Sequence, residues 1–166
     1  VLVNPIRGSD FWNHNFSLTE TPKRQYEIFK KNNFPATWLV RYDGLINPEI
    51  QQFVKSLDSS QDTGIFFEIT PSLANAAGVK YNGTGNWHFA KSVLLTGYSP
   101  DDRKKLIDTA FGKFKEVTGR EAKSVGAWWI DAASLNYMKD KYEIVANLDV
   151  ADQYSTDGYQ VWGQYW

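Results

Sequence analysis

Glu68 has the setting that most invites a chemical role, because Phe66-Phe67-Glu68-Ile69 places a carboxylate inside an otherwise apolar run. Desolvation there would raise its pKa towards acid/base work, unless Arg7 or Arg41 pairs with it as a buried ion pair. Asp131 and Asp152 are the candidate partner carboxylates. Asp131 stands immediately before Ala132-Ala133-Ser134, where it would serve equally well as a helix N-cap. Asp152 lies in Ala151-Asp152-Gln153-Tyr154, beyond a strand rather than within one. A pair of such carboxylates is what hydrolysis of a glycosidic bond needs, about 5–5.5 Å apart for retention and about 6.5–9.5 Å for inversion. Arg7, Arg41, Asp43, Trp128, Trp129 and Gln153 are the candidate substrate-binding residues. The arginines would grip an anionic group or stabilise the carboxylates. Asp43-Gly44 reads equally as a turn, and Asp149 as a strand residue divided between site and salt bridge. Trp128 and Trp129 are adjacent in one strand, so one at most faces inward while the other packs under a helix.

The commoner catalytic patterns are missing. There is no phosphate-binding G-x-x-x-x-G-K-[ST] loop, no G-x-S-x-G turn and no H-E-x-x-H helix, and the only histidines are His14 and His88. Zero cysteines among 166 residues exclude disulfides, thiolate metal sites and cysteine nucleophiles together. With 18 Lys+Arg against 19 Asp+Glu the chain lacks the cationic excess that nucleic-acid binding requires. No apolar stretch is long enough to insert in a membrane. No cofactor motif is present, and nothing fixes oligomeric state or compartment, an extracellular or cell-envelope setting being slightly favoured. The aromatic content of 16% is high, and the rings must be divided between core and ligand surface.

The elements that would position these residues alternate between short apolar runs and helix-period segments, the pattern of βα units around a parallel sheet. Strands are expected at 1–3, 38–40, 64–69, 91–95, 124–130 and 144–150, with a seventh at 159–166. A helix is expected from Thr21 to about Asn32, with Pro22 at its first position. Asn47 should cap a helix whose Ile50, Phe53, Val54 and Leu57 form one buried stripe. Ser99-Pro100-Asp101-Asp102 is a helix start, Leu106, Ile107, Ala110, Phe111, Phe114 and Val117 its apolar face, and Gly119 its left-handed stop. A last helix should follow Asp131 to about Lys141. No linker divides residues 1–166, so one domain is expected, a distorted βα barrel of about seven parallel strands. Its aromatic end at Trp166 suggests that the native chain continues. In such barrels the site lies at the C-terminal ends of the strands, which would deliver Asn4 and Arg7, Arg41 and Asp43, Glu68 and Thr70, Asp131, then Asp149, Asp152 and Gln153 to one mouth.

The order of these segments resembles the polysaccharide deacetylase (NodB-like) family of the glycoside hydrolase/deacetylase superfamily. The helix from Thr21-Pro22 followed by Phe34-Pro35-Ala36-Thr37-Trp38-Leu39-Val40 is similar to that family's entry into its second strand. The stretch from Ser99-Pro100 to Thr118-Gly119-Arg120, then Ser124-Val125-Gly126-Ala127-Trp128-Trp129, resembles its long helix and following strand. The likeness implies the family's distorted seven-stranded barrel. The family's Asp-Asp pair is replaced by Asn4-Pro5-Ile6-Arg7-Gly8, its two metal-binding histidines would fall near Phe66 and Thr70, and its Arg-Pro-Pro-Tyr segment near Gly126-Ala127-Trp128-Trp129. Base, metal ligands and arginine are missing together, so the resemblance points to a divergent bacterial member without the metal. Two functional expectations follow. The first is a hydrolase acting on a polysaccharide through two of Glu68, Asp131 and Asp152. The second is a catalytically inactive deacetylase-like domain that binds glycan or a protein partner. A metal-dependent hydrolase using His14 or His88 with Asp10 is a distant third.

Overall fold

The computed structural model describes residues 1–11, 15–83 and 89–149. Five parallel strands, β1 (Leu2–Ile6), β2 (Ala36–Arg41), β3 (Asp62–Phe67), β4 (Ser124–Ala127) and β5 (Ala146–Asp149), pair in chain order into one sheet curled as a half-barrel. The registers Val3↔Thr37, Val40↔Ile65, Ile65↔Val125 and Ala127↔Asp149 run through the sheet. The α/β class and parallel barrel-like order agree with expectation, while the described residues show five strands and not seven. The segment expected as a strand at 91–95 forms a short helix, α5 (Ala90–Val93), and a single 3-10 turn, Leu95–Gly97. An apolar run of that length has no period of its own, so its surroundings decide its form. The strand expected at 159–166 lies outside the described residues.

Helices cover the convex face of the sheet. They are α1 (Glu20–Lys31), α2 (Tyr42–Leu45), α3 (Pro48–Ser56), α4 (Pro71–Ala76), α6 (Pro100–Thr118) and α7 (Ala132–Tyr142). Their ends follow local chemistry. The Asn47 side chain accepts from the amides of Glu49 and Ile50, Ser99 from Asp102 and Asp131 from Ser134, while Gly119 closes α6 with φ 74° and its amide bonds Lys115 O. The first helix begins at Glu20, one residue before the expected start, with Pro22 still in the first turn, where a missing amide proton costs no helical bond.

Alternation along the strands sorts the two faces. Trp38, Val40, Ile65, Phe67, Val125 and Ala127 point outward and meet Phe53, Leu106, Ile107, Phe111 and Phe114 in the main core. Trp38 is fully buried, edge-on to Phe53 at 5.4 Å and donating through Nε1 to Gln61 Oε1. The concave face carries Leu39, Arg41, Gly64, Phe66 and Gly126, which alternate with the outward set. Close approach leaves little room for a Cβ at two positions on that face. A Cβ at Gly126 would stand 2.5 Å from Leu39 Cδ1, and one at Gly64 would overlap the Ser124 carbonyl.

Candidate functional site

The C-terminal ends of β1, β2 and β3 bring together four charged side chains. Arg41 ends β2 on the concave face and Glu68 follows β3 on the same face, two residues beyond Phe66. Arg7 follows β1. Asp43 lies in α2, the single turn that leaves β2. Arg41 grips Asp43 in bidentate fashion, Nε to Oδ1 at 2.7 Å and Nη2 to Oδ2 at 2.6 Å, and reaches Glu68 Oε2 with Nη1 at 2.6 Å. Arg7 makes a second fork to Glu68, both bonds 2.9 Å. The Trp128 indole donates to the remaining side of the Glu68 carboxylate. The side chain of Arg41 is 0% exposed and that of Glu68 2%, whereas that of Arg7 keeps 26%.

The loop after β1 is part of the cluster. The amides of Gly8, Asp10 and Gly44 all donate to Asp43, each at 3.0 Å. Gly8 has to be glycine, since a Cβ there would stand 2.5 Å from the Asp43 carbonyl carbon. Asp10 Oδ2 in turn accepts from the amide of Ser72 at the start of α4. Rings complete the surround. The Arg7 guanidinium lies 5.1 Å from the Phe66 ring centroid and 5.6 Å from that of Trp128, and Arg41 lies 5.2 Å from Phe11. Above them Ala90, Val93 and Leu94 of the α5 segment pack with Phe11, Trp128 and Trp129, and the Ile69 amide bonds Val93 O at 2.8 Å. The segment expected as a barrel strand is thus a cap on the strand ends.

This geometry sets the protonation states. Burial alone would push the Glu68 and Asp43 carboxyls up. The forks from Arg7 and Arg41 outweigh it and hold both below their ordinary values. Burial alone would likewise lower Arg41, and Asp43 with Glu68 holds it above its usual value. The rise expected for Glu68 is therefore reversed, because the ion-pair alternative is what forms. Two guanidinium and two carboxylate groups cancel in charge, and the bidentate contacts leave the carboxylates ionised with no proton to give.

The remaining candidates fall in different places. Asp131 caps α7, accepting from Ser134 N at 3.0 Å and Ser134 Oγ at 2.7 Å, and pairs with Arg103 at 3.2 Å. None of these contacts joins it to the cluster. Strand β4 ends at Ala127 rather than continuing to 130, so alternation no longer separates Trp128 from Trp129, and both pack with the short α5 segment. Asp149 pairs in register with Ala127, an outward residue, so it faces the helix layer. Its Oδ1 is buried without a hydrogen bond, and burial pushes its pKa up. Asn4 also points outward, opposite in phase to Arg7. Asp152, Gln153, His14, His88 and the tail from Tyr154 to Trp166 lie outside the described residues. Asp10, expected only as a metal ligand, and Phe11, which no sequence pattern singles out, belong to the surround of the cluster. The Arg7-Gly8-x-Asp10 spacing is the local signal that marks this tight polar loop.

The deacetylase resemblance implies a divalent metal, and the described residues do not suit one. Phe66 offers no donor atom, and Thr70 Oγ1 is committed as the N-cap of α4, accepting from Leu73 N at 3.3 Å. The carboxylates of Glu68 and Asp43 are already committed to Arg7 and Arg41. Among the described residues no three His, Cys, Asp or Glu side chains gather closely enough to hold a metal.

No protein-family model matches the chain, and no curated protein does either. Solved structures do. The crystal structure of wild-type BA3943, described as a CE4 family pseudoenzyme from Bacillus anthracis, matches with a TM-score of 0.53 over 89% of this chain at 14% identity. The likeness is one of fold. A BA3943 mutant matches at 0.52 and 15% identity, and a further mutant described as having restored enzymatic activity at 0.51 and 15%, each over 88% of this chain. This chain spans 42–43% of the length of those proteins. The CE4 family includes the NodB-like polysaccharide deacetylases, so the likeness agrees with the expected architecture as far as a parallel α/β half-barrel, the seven strands not being shown. Among the described residues no helix is long and apolar enough to cross a membrane.

Proposed function

We propose that this chain is a deacetylase-like domain that binds a glycan at the strand ends and does not perform metal-dependent deacetylation. The observation that carries this reading is the state of Glu68. Both its oxygens are taken by Arg7, Arg41 and Trp128, and the positions that would hold a metal carry Phe66 and Thr70. A carboxylate so occupied is a poor base and cannot act as a general acid. The pseudoenzyme character of BA3943, on a similar fold, supports an inactive reading. The Arg7 guanidinium between Phe66 and Trp128, partly open to solvent, offers donors beside aromatic faces, a combination suited to sugars.

The test is a panel of soluble cello-, xylo- and chito-oligosaccharides, assayed by calorimetry for binding and by chromatography for products. Saturable binding without turnover is expected. Hydrolysis or deacetylation that disappears in Glu68→Gln would replace this reading with the catalytic one, in which Glu68 works with Asp131 or Asp152.

A further inference from the structure

A groove of about 640 Å³ opens at the other end of the sheet, where β3 begins, between the end of α3, the turn at 57–61 and the segment that leaves α6. That volume suits a small organic molecule. Most of the polar wall is held by bonds of its own. The Asp58 carboxylate accepts from the Tyr26 hydroxyl at 2.8 Å and, on its other oxygen, from the Ser60 amide at 2.9 Å. Gln61 is buried between the Trp38 indole and the Phe34 carbonyl, each at 3.1 Å, and Asp62 Oδ2 accepts from Ser124. Two cations that line the groove are not spent in this way. Lys55 makes no hydrogen bond or ion pair among the described residues and is exposed. Arg120 is anchored, its Nη2 donating to the buried Thr63 hydroxyl and its guanidinium lying 5.9 Å from the Phe114 ring centroid. Its side chain is nevertheless 48% exposed, and its Nη1 stands 4.0 Å from Asp62 Oδ1, beyond hydrogen-bond reach.

We propose that this groove binds the carboxylate of a small hydroxylated acid, a sugar acid, with Lys55 and Arg120 as its donors. The site lies at the opposite end of β3 from Glu68 and stands whether or not the strand ends bind a glycan. The unspent groups decide the ligand. Lys55 offers all its N–H donors and Arg120 those not given to Thr63, a surplus that calls for negatively charged oxygen acceptors. Asp58 and Asp62 in the same walls limit that charge, since they repel a phosphate dianion more strongly than a single carboxylate. Asp62 Oδ1, which accepts no hydrogen bond among the described residues, and the exposed Ser59 hydroxyl suit hydroxyl groups on the body of the acid. Thr63 and Phe114 already hold Arg120, so binding has only the Lys55 side chain to order.

The experiment titrates the whole chain at low salt, by calorimetry, with D-glucuronate, with glucose as its uncharged counterpart and with inorganic phosphate. The glucuronate titration is repeated on Lys55→Gln and Arg120→Gln. Saturable binding of glucuronate, tighter than that of glucose or phosphate, is expected, and either substitution should weaken it about tenfold. Lys55→Gln removes no contact within the fold, so it should melt as the unaltered chain does. It decides the matter alone if Arg120→Gln, which takes the donor from Thr63, unfolds early. The proposal is overturned if glucuronate does not bind, if glucose binds as well, if phosphate binds more tightly, or if a variant of unchanged melting temperature binds glucuronate as the unaltered chain does. Each of those results leaves the strand-end reading standing, because neutral oligosaccharides test it.

Discussion

Arg41 is a fully buried cation whose position is tolerable only because two carboxylates meet three of its N–H groups. Removing it leaves Asp43 and Glu68 charged in a low-dielectric pocket, so Arg41→Met should cost about 3–5 kcal/mol, read as a fall in the urea midpoint. Glu68→Gln should cost less, because Arg7 keeps access to water. The same pairing makes stability depend on pH. The folded pKa values of Asp43 and Glu68 lie below their ordinary 3.8 and 4.5, so the folded state binds fewer protons than the unfolded chain in that region. Their stabilisation is full above about pH 5 and is lost as pH falls through the depressed values. A denaturation midpoint that does not fall between about pH 5 and pH 3 would contradict the network. Asp149 carries the opposite sign. Its pKa is raised by burial, so its ionised form weakens the fold at neutral pH and the penalty fades on acidification. Asp149→Asn should therefore raise the melting temperature at neutral pH and change it little in acid.

At the scale of elements, caps were the most legible feature of the sequence. Asn47, Ser99, Asp131 and Gly119 each act through atoms within a few residues, so type and spacing suffice to place them. Asn47→Ala should cost about 1 kcal/mol, since two amides at the start of α3 lose their acceptor, and chemical denaturation would register it. The apolar face of α6 was readable for the same reason, its six buried residues following one helical stripe. The α5 segment was not. Lys91-Ser92-Val93-Leu94-Leu95 has the composition of a buried strand, and what makes it a cap is packing against Phe11, Trp128 and Trp129, far away in sequence. The cluster was legible only as a set of residue types at strand ends. That Glu68 would be paired rather than poised depended on Arg7 and Arg41 arriving together, which strand register determines and local sequence does not.

For the molecule as a whole, sequential pairing of five parallel strands gathers the ends of β1, β2 and β3 at one rim, and likeness to structures at 14–15% identity follows from that arrangement rather than from shared residues. On the concave face a Cβ at Gly64 would overlap the Ser124 carbonyl and one at Gly126 would press on the Leu39 side chain of a neighbouring strand. Gly126→Ala should therefore disturb more than its own strand, and a lowered melting temperature with weakened oligosaccharide binding is the expected result. The order of the strands also bears on how the chain folds. Arg7, Arg41, Asp43 and Glu68 all belong to the first three strands and their exits, so the ion cluster can assemble before α6 and β4 are in place. Trp128 and the α5 cap come later in the chain, across its longest connection between paired strands, where loop closure is entropically most demanding. The charged centre is thus drawn wholly from residues 7–68 and its apolar cover largely from later ones, so a cluster that forms first would show as mutations in the first group slowing folding and mutations in the second chiefly speeding unfolding.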